Sequence, residues 1–335
     1  MPLKEYQRIL KNVKDRDFKP VYFLSGPEPY FIDVITEYIE KNVLDEAEKA
    51  FNQTVLYGQD VQWGQLVETL KRFPMMAERQ VVIIKEAQVI RDLKERLSEY
   101  LQNPMDTTVL VICYKYKTTA DRKFLNLLQS KGIYFLSKEL RENKIPDWVV
   151  EFLRRRKFRI TQKASFLLTE YLGNDLSKIS NELEKLTLVL EPGIEINTHH
   201  IEENIGISKD YNTFELVNAL GRKDEVKAYQ IINYFGDNPK QHPIPLTIAT
   251  LFNYFGKILS LHYLKDKNPR NIASQLSIAP FFVDQYFEGA RRYPAGKCAH
   301  IIRYIRECDN HWKGIESASM PEGELLKELI YKILN

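Results

Sequence analysis

Between Val21 and Ser137 short apolar runs alternate with segments whose apolar residues recur every three or four positions. The runs VYFL (21–24), FNQTVLYG (51–58), RQVVIIKEA (79–87), TTVLVICYKY (107–116) and GIYFLS (132–137) predict strands. Phe31, Val34, Ile35, Tyr38 and Ile39 mark a helix after the first of them, and WGQLVETLKRF (63–73), RDLKERLSEYL (91–101) and DRKFLNLLQS (121–130) carry the same helical spacing. Near-continuous apolar strands separated by helices imply a parallel sheet covered on both faces. From about Ser137 onward strand signals nearly vanish. One helical group runs through Trp148 to Leu153, Ala164 to Leu172 and Leu176 to Leu190, and a second runs from Phe214 to the end of the chain. The expected architecture is α/β followed by all-α, in three parts: 1–137, a small helical domain at 138–208 and a larger helical bundle at 209–335.

Composition narrows the class without changing this picture. The chain has 335 residues, 44% hydrophobic and 28% charged, which is too long for one core and ordinary for a folded protein. The apolar runs VVII (81–84) and VLVIC (109–113) fall far short of the roughly 20 residues needed to cross a bilayer. The N-terminus, MPLKEYQRILKNVK, reads as an amphipathic helix without a signal-peptide core, so a cytoplasmic protein is expected. Cys113, Cys298 and Cys308 are scattered, which supports neither a disulfide framework nor a zinc site. A net charge of +3 argues against a protein that mainly grips nucleic acid, and the run Arg154 to Lys157 reads as a solvated helix end.

The chemistry question centres on LSGPEPYFID (24–33), where a strand turns into a helix through a glycine. A phosphate loop of the form GxxxxGK[ST] would put glycine, lysine and a hydroxyl at Phe31, Ile32 and Asp33. Pro27 and Pro29 also lack the N–H groups that such a cradle uses, and Glu28 adds negative charge where an anion would sit. The alternative reading is that Pro29 starts a helix and Glu28 complements its dipole. Elsewhere His199 and His200 lack metal spacing and read as surface or capping residues. Asp175, Glu182 and Glu184 are explained by helical pairing with Lys178 and Lys185. No catalytic residue, cofactor site or metal site is expected.

Three stretches together resemble one family. VYFLSGPEPYFID (21–33), LGNDLSKISNELEKL (172–186) and DNHWKG (309–314) with LLKELIYKIL (325–334) are similar to the delta subunit of the bacterial DNA polymerase III clamp loader. ALGRKDEVKAYQIINYF (219–235) and IASQLSIAPFFVDQYFEGARRY (272–293) follow in the family's order, so the resemblance covers nearly the whole chain. It implies an AAA+-like module: a RecA-like domain without a working ATP site, a helical lid and a C-terminal collar. It further implies a subunit that binds and opens the sliding clamp for loading onto primed DNA, beside motor and delta-prime subunits, as part of a polymerase holoenzyme. The family's clamp-binding element is a helix ending in two adjacent apolar residues. Here it matches WGQLVETLKRF and Met75-Met76, in place of the commoner leucine-phenylalanine pair and directly after Pro74. Gln65, Leu66, Thr69, Leu70 and Phe73 are expected to assist, whereas Asp309, Trp312 and Lys313 of the collar are expected to pack. The rival expectations are an AAA+ ATPase with an atypical nucleotide loop and a DNA-binding replication or repair protein.

Overall fold

The computed structural model describes residues 2–208, 210–315 and 320–335. Its contacts divide the chain into two units, Met1–Leu140 and Arg141–Asn335. The boundary expected at residue 209 falls outside the described residues.

In the first unit five strands, β1 (Val21–Gly26), β2 (Gln53–Tyr57), β3 (Gln80–Lys85), β4 (Thr108–Lys115) and β5 (Ile133–Leu136), form one sheet in the order β2-β3-β4-β1-β5. Every pairing is parallel. The inner strands β1, β3 and β4 are buried along almost their whole length, as the unbroken apolar runs require. The helices are α1 (Pro2–Lys14), α2 (Pro29–Asn42), α3 (Glu46–Asn52), α4 (Trp63–Lys71), α5 (Leu93–Gln102) and α6 (Arg122–Lys131). Val21, Phe23, Val82, Ile84, Leu110 and Ile112 of one sheet face pack with Leu66 and Leu70 of α4, Leu97 of α5 and Leu128 of α6. Because the strands run alike, the loop after β1 lies at the carboxyl end of the sheet, and the segment joining α4 to β3 lies at the amino end.

The second unit is helical except for a pair of two-residue strands, Arg159–Ile160 and Glu195–Ile196, too short to leave a periodic signal. Its helices are α7 (Ile145–Arg155), α8 (Gln162–Leu172), α9 (Leu176–Val189), α10 (Thr198–Ile205), α11 (Thr213–Arg222), α12 (Glu225–Asp237), α13 (Ile244–Tyr263), α14 (Pro269–Gln275), α15 (Val283–Arg292), α16 (Ala295–Trp312) and α17 (Glu322–Leu334). Among the described residues α13 alone is long and apolar enough to cross a membrane, a length that the separate apolar runs do not reveal. Ile248, Leu251, Phe255 and Ile258 of this helix are buried in one core with α11, α12, α16 and α17.

Local caps bear out several sequence readings. Asn197 Oδ1 accepts the His199 and His200 N–H groups while His200 Nδ1 accepts the Asn197 N–H, so this histidine pair starts α10. Glu182 makes the expected helical pair with Lys185 at 2.7 Å, whereas Asp175 instead caps α9 by accepting the Lys178 N–H, and Glu184 pairs across to Arg156 of α7, whose guanidinium lies over the Phe152 ring. Arg154 and Arg155 share Glu151 of their own helix and Arg156 pairs with Glu184, so three of the four cations in the basic run have a carboxylate partner. Asp309 pairs with Lys313 at 2.5 Å, and Trp312 Nε1 donates to Glu322, tying the end of α16 to the start of α17.

Candidate functional site

At the carboxyl end of the sheet the loop after β1 is filled from within. Gly26 has φ 137°, and a Cβ there would stand 2.0 Å from the Ser137 carbonyl oxygen, so only glycine fits. Ser137 Oγ donates to the Glu28 carbonyl at 2.6 Å, and the Glu28 N–H donates back to the Ser137 carbonyl at 3.3 Å. The buried Glu28 carboxylate accepts the Tyr30 N–H at 3.0 Å and caps α2, with Pro29 in its first turn. This is the helix-start reading of the two prolines and the glutamate. Phe31 and Ile32, at the positions of the second glycine and the lysine, are buried in the core. Asp33, at the hydroxyl position, pairs with Lys115 at 2.6 Å. The polar groups around this loop therefore bind one another.

At the amino end α4 packs Leu66 and Leu70 into the core and stops at Lys71. The helix pattern extends to Phe73 in the sequence, but Pro74 disfavours helical backbone at the residue before it, and Arg72 is already extended. The last carbonyls of α4, which have no partners inside the helix, are met by two buried side chains. Gln80 Nε2 lies 2.8 Å from each of the Thr69 and Arg72 carbonyls, and Thr108 Oγ1 donates to the Leu70 carbonyl at 2.9 Å. Gln80 Nε2 also lies 2.8 Å from Thr108 Oγ1, so the two side chains brace each other.

Beyond the helix end the chain is clasped again by Asn52, a buried residue at the end of α3. Its Oδ1 accepts the Met75 N–H at 2.7 Å and its Nδ2 donates to the Met75 carbonyl at 2.9 Å. Arg72 donates to the Phe51 carbonyl at 3.1 Å from the same side, and Arg79 donates to the Asp106 carbonyl at 2.8 Å while lying over the Phe18 ring. Met76 takes the left-handed conformation, φ 53°, at a cost of about 1–2 kcal/mol for a residue with a side chain. With the backbone so held, the apolar side chains remain outside. Phe73 is 72% exposed, Met75 54% and Met76 101%. Phe51, beside them through the Arg72 bond, is exposed as well.

The seven residues expected to meet a partner therefore separate. Phe73, Met75 and Met76 form an exposed loop, and Gln65 is exposed on α4 with Thr69 half-buried behind it. Leu66 and Leu70 require correction as contact residues: their side chains are buried in the core and anchor the helix. The methionine pair, moreover, stands in a loop after the helix and not at the helix end. Asn52, Gln80 and Thr108 were not legible as parts of this site. The Asn-to-Met75 contact spans 23 residues, and nothing in the spacing marks it.

The three cysteines are free and buried, and burial pushes their thiols up to about 11, far from the thiolate a nucleophile needs. Among the described residues no three His, Cys, Asp or Glu side chains converge as a metal site requires.

The chain is similar to known proteins along most of its length. The family described as "DNA polymerase III, delta subunit" matches residues 22–138, and "DNA polymerase III delta subunit, C-terminal domain" matches 210–331. DNA polymerase III subunit delta of Bacillus subtilis (strain 168) is 27% identical over 318 residues, covering 91% of each chain. A solved structure, the Bacillus subtilis DNA clamp loader delta protein, aligns with a TM-score of 0.56 at 24% identity over 98% of this chain and 99% of that one, a likeness of fold.

Proposed function

The chain belongs to the DNA polymerase III delta subunit family, and from that premise we propose that it is a clamp-loader subunit whose 73–76 loop binds and opens the sliding clamp during replication. One observation carries this reading: three large apolar side chains stand outside the protein on a backbone that is fixed from beneath. An exposed apolar cluster on a braced loop has an unfavourable exposure to water that a complementary pocket would remove. Fully burying two methionines contributes roughly 3–6 kcal/mol before ordering costs, and the fixed backbone keeps those costs low.

Opening the ring would follow from differential binding. A ring strained at its interface opens when a ligand binds its open form better than its closed form, and the loop supplies that ligand without a chemical step. The loop after β1 takes no part, because its donors are replaced by prolines or already paired. The chain thus works without binding ATP, and nucleotide turnover belongs to its motor partners. Residues 138–208 would act as the lid. Residues 209–335 would act as the collar that joins the motor and delta-prime subunits around primed DNA in the cytoplasm.

The test is titration of the full chain against its sliding clamp. Met75→Ala with Met76→Ala should weaken binding about 100-fold, since each 1.4 kcal/mol is tenfold, with the unfolding midpoint unchanged. Equal affinity of the two chains would remove the loop from the interface.

A further inference from the structure

We propose that Asn52 is the positioning residue of the docking loop, holding Met75 and Met76 in the single shape that the clamp meets; the inference rests on the reading of that loop as the clamp-binding surface. Asn52 is 1% exposed and hydrogen-bonds to the loop through the main-chain N–H and carbonyl of Met75. One side-chain amide both accepts from and donates to the same residue, the two-bond pattern that antiparallel strands make between their backbones. Its Nδ2 also lies 3.1 Å from the Glu48 carbonyl, which fixes the amide plane against α3.

The clasp demands an amide. Aspartate can accept from the Met75 N–H but cannot donate to the carbonyl, and leucine can do neither. Immediately beyond the clasp Met76 holds its left-handed conformation, which persists only where neighbouring structure imposes it. Without the clasp the loop would spread over many conformers. Apparent affinity falls in proportion to the competent fraction, so a loop competent one time in ten binds tenfold more weakly.

The test uses the full chain, with Asn52→Leu and Asn52→Asp beside the double methionine variant, read by clamp affinity and by hydrogen exchange of the Met75 amide. Asn52→Leu should speed Met75 exchange at least tenfold and weaken clamp binding about tenfold, with Asn52→Asp between it and the parent chain. In the background of Met75→Ala and Met76→Ala, Asn52→Leu should have no further effect on binding, because it acts only through those side chains. A purely structural residue would not show that dependence. Should Asn52→Leu fail to fold, the Asn52→Asp chain carries the same comparison. Unchanged clamp affinity in the Asn52 variants overturns the proposal, as does an equal loss in both backgrounds. Parent and double-methionine chains that bind the clamp alike would instead overturn the docking reading itself, an outcome the exchange measurement keeps separate.

Discussion

At the carboxyl end of the sheet the loop after β1 turns its polar groups inward, whereas at the amino end the segment before β3 turns its apolar groups outward. Both loops are fixed by hydrogen bonds from buried polar side chains, Ser137 and Glu28 in the first and Asn52, Gln80 and Thr108 in the second. The carboxyl end of a parallel sheet is where α/β proteins ordinarily take a ligand. Here the Glu28 and Tyr30 N–H groups of the loop are already paired, and the exposed apolar side chains Phe73, Met75 and Met76 stand at the opposite end. Bracing alone therefore does not tell the two loops apart. What distinguishes the two is which atoms the bracing leaves uncovered.

The largest effect expected from challenging this contrast is at Gly26. Gly26→Ala would drive a methyl group into the Ser137 carbonyl. It should cost more than about 4 kcal/mol in urea unfolding, among the most damaging single substitutions. Next comes a pair from one segment: Leu70→Ala should lose about 2–5 kcal/mol of stability through the cavity it leaves. Phe73→Ala should leave the urea midpoint within about 0.5 kcal/mol and instead weaken clamp titration several-fold. The reverse pattern would mean that exposed and buried positions of this segment have been confused. The smallest is Met76→Gly, which removes the left-handed strain and should raise stability by up to about 1 kcal/mol while still weakening the clamp. A stability gain with undiminished binding would show that the Met76 side chain is idle.

Much of this could be read from the chain. Near-continuous apolar runs identified the inner strands β1, β3 and β4, because a strand buried on both faces is largely apolar, whereas the edge strands β2 and β5 are only partly buried and were read from shorter, more mixed runs. The departure of Phe31, Ile32 and Asp33 from the phosphate-loop pattern was equally plain; that the first two are buried and the third pairs with Lys115 came from the fold. The short helix α3 was missed, its seven residues giving barely two turns of periodicity. The end of α4 was placed two residues late although Pro74 signals it, since Phe73 continues the apolar spacing. Leu66 and Leu70 were placed at the contact surface because the resemblance points to the helix as a whole, and helical spacing shows that a face is apolar and not which body it faces. The clasp by Asn52 depends on two distant segments meeting, information held only in the fold.

Because Asn52 grips the main-chain N–H and carbonyl of residue 75, which every amino acid but proline carries, the backbone there is held whatever that side chain is. Shape and chemistry are thereby inherited separately. On the docking reading proposed above, the side chain at position 75 could change with the partner's pocket without rebuilding the scaffold beneath.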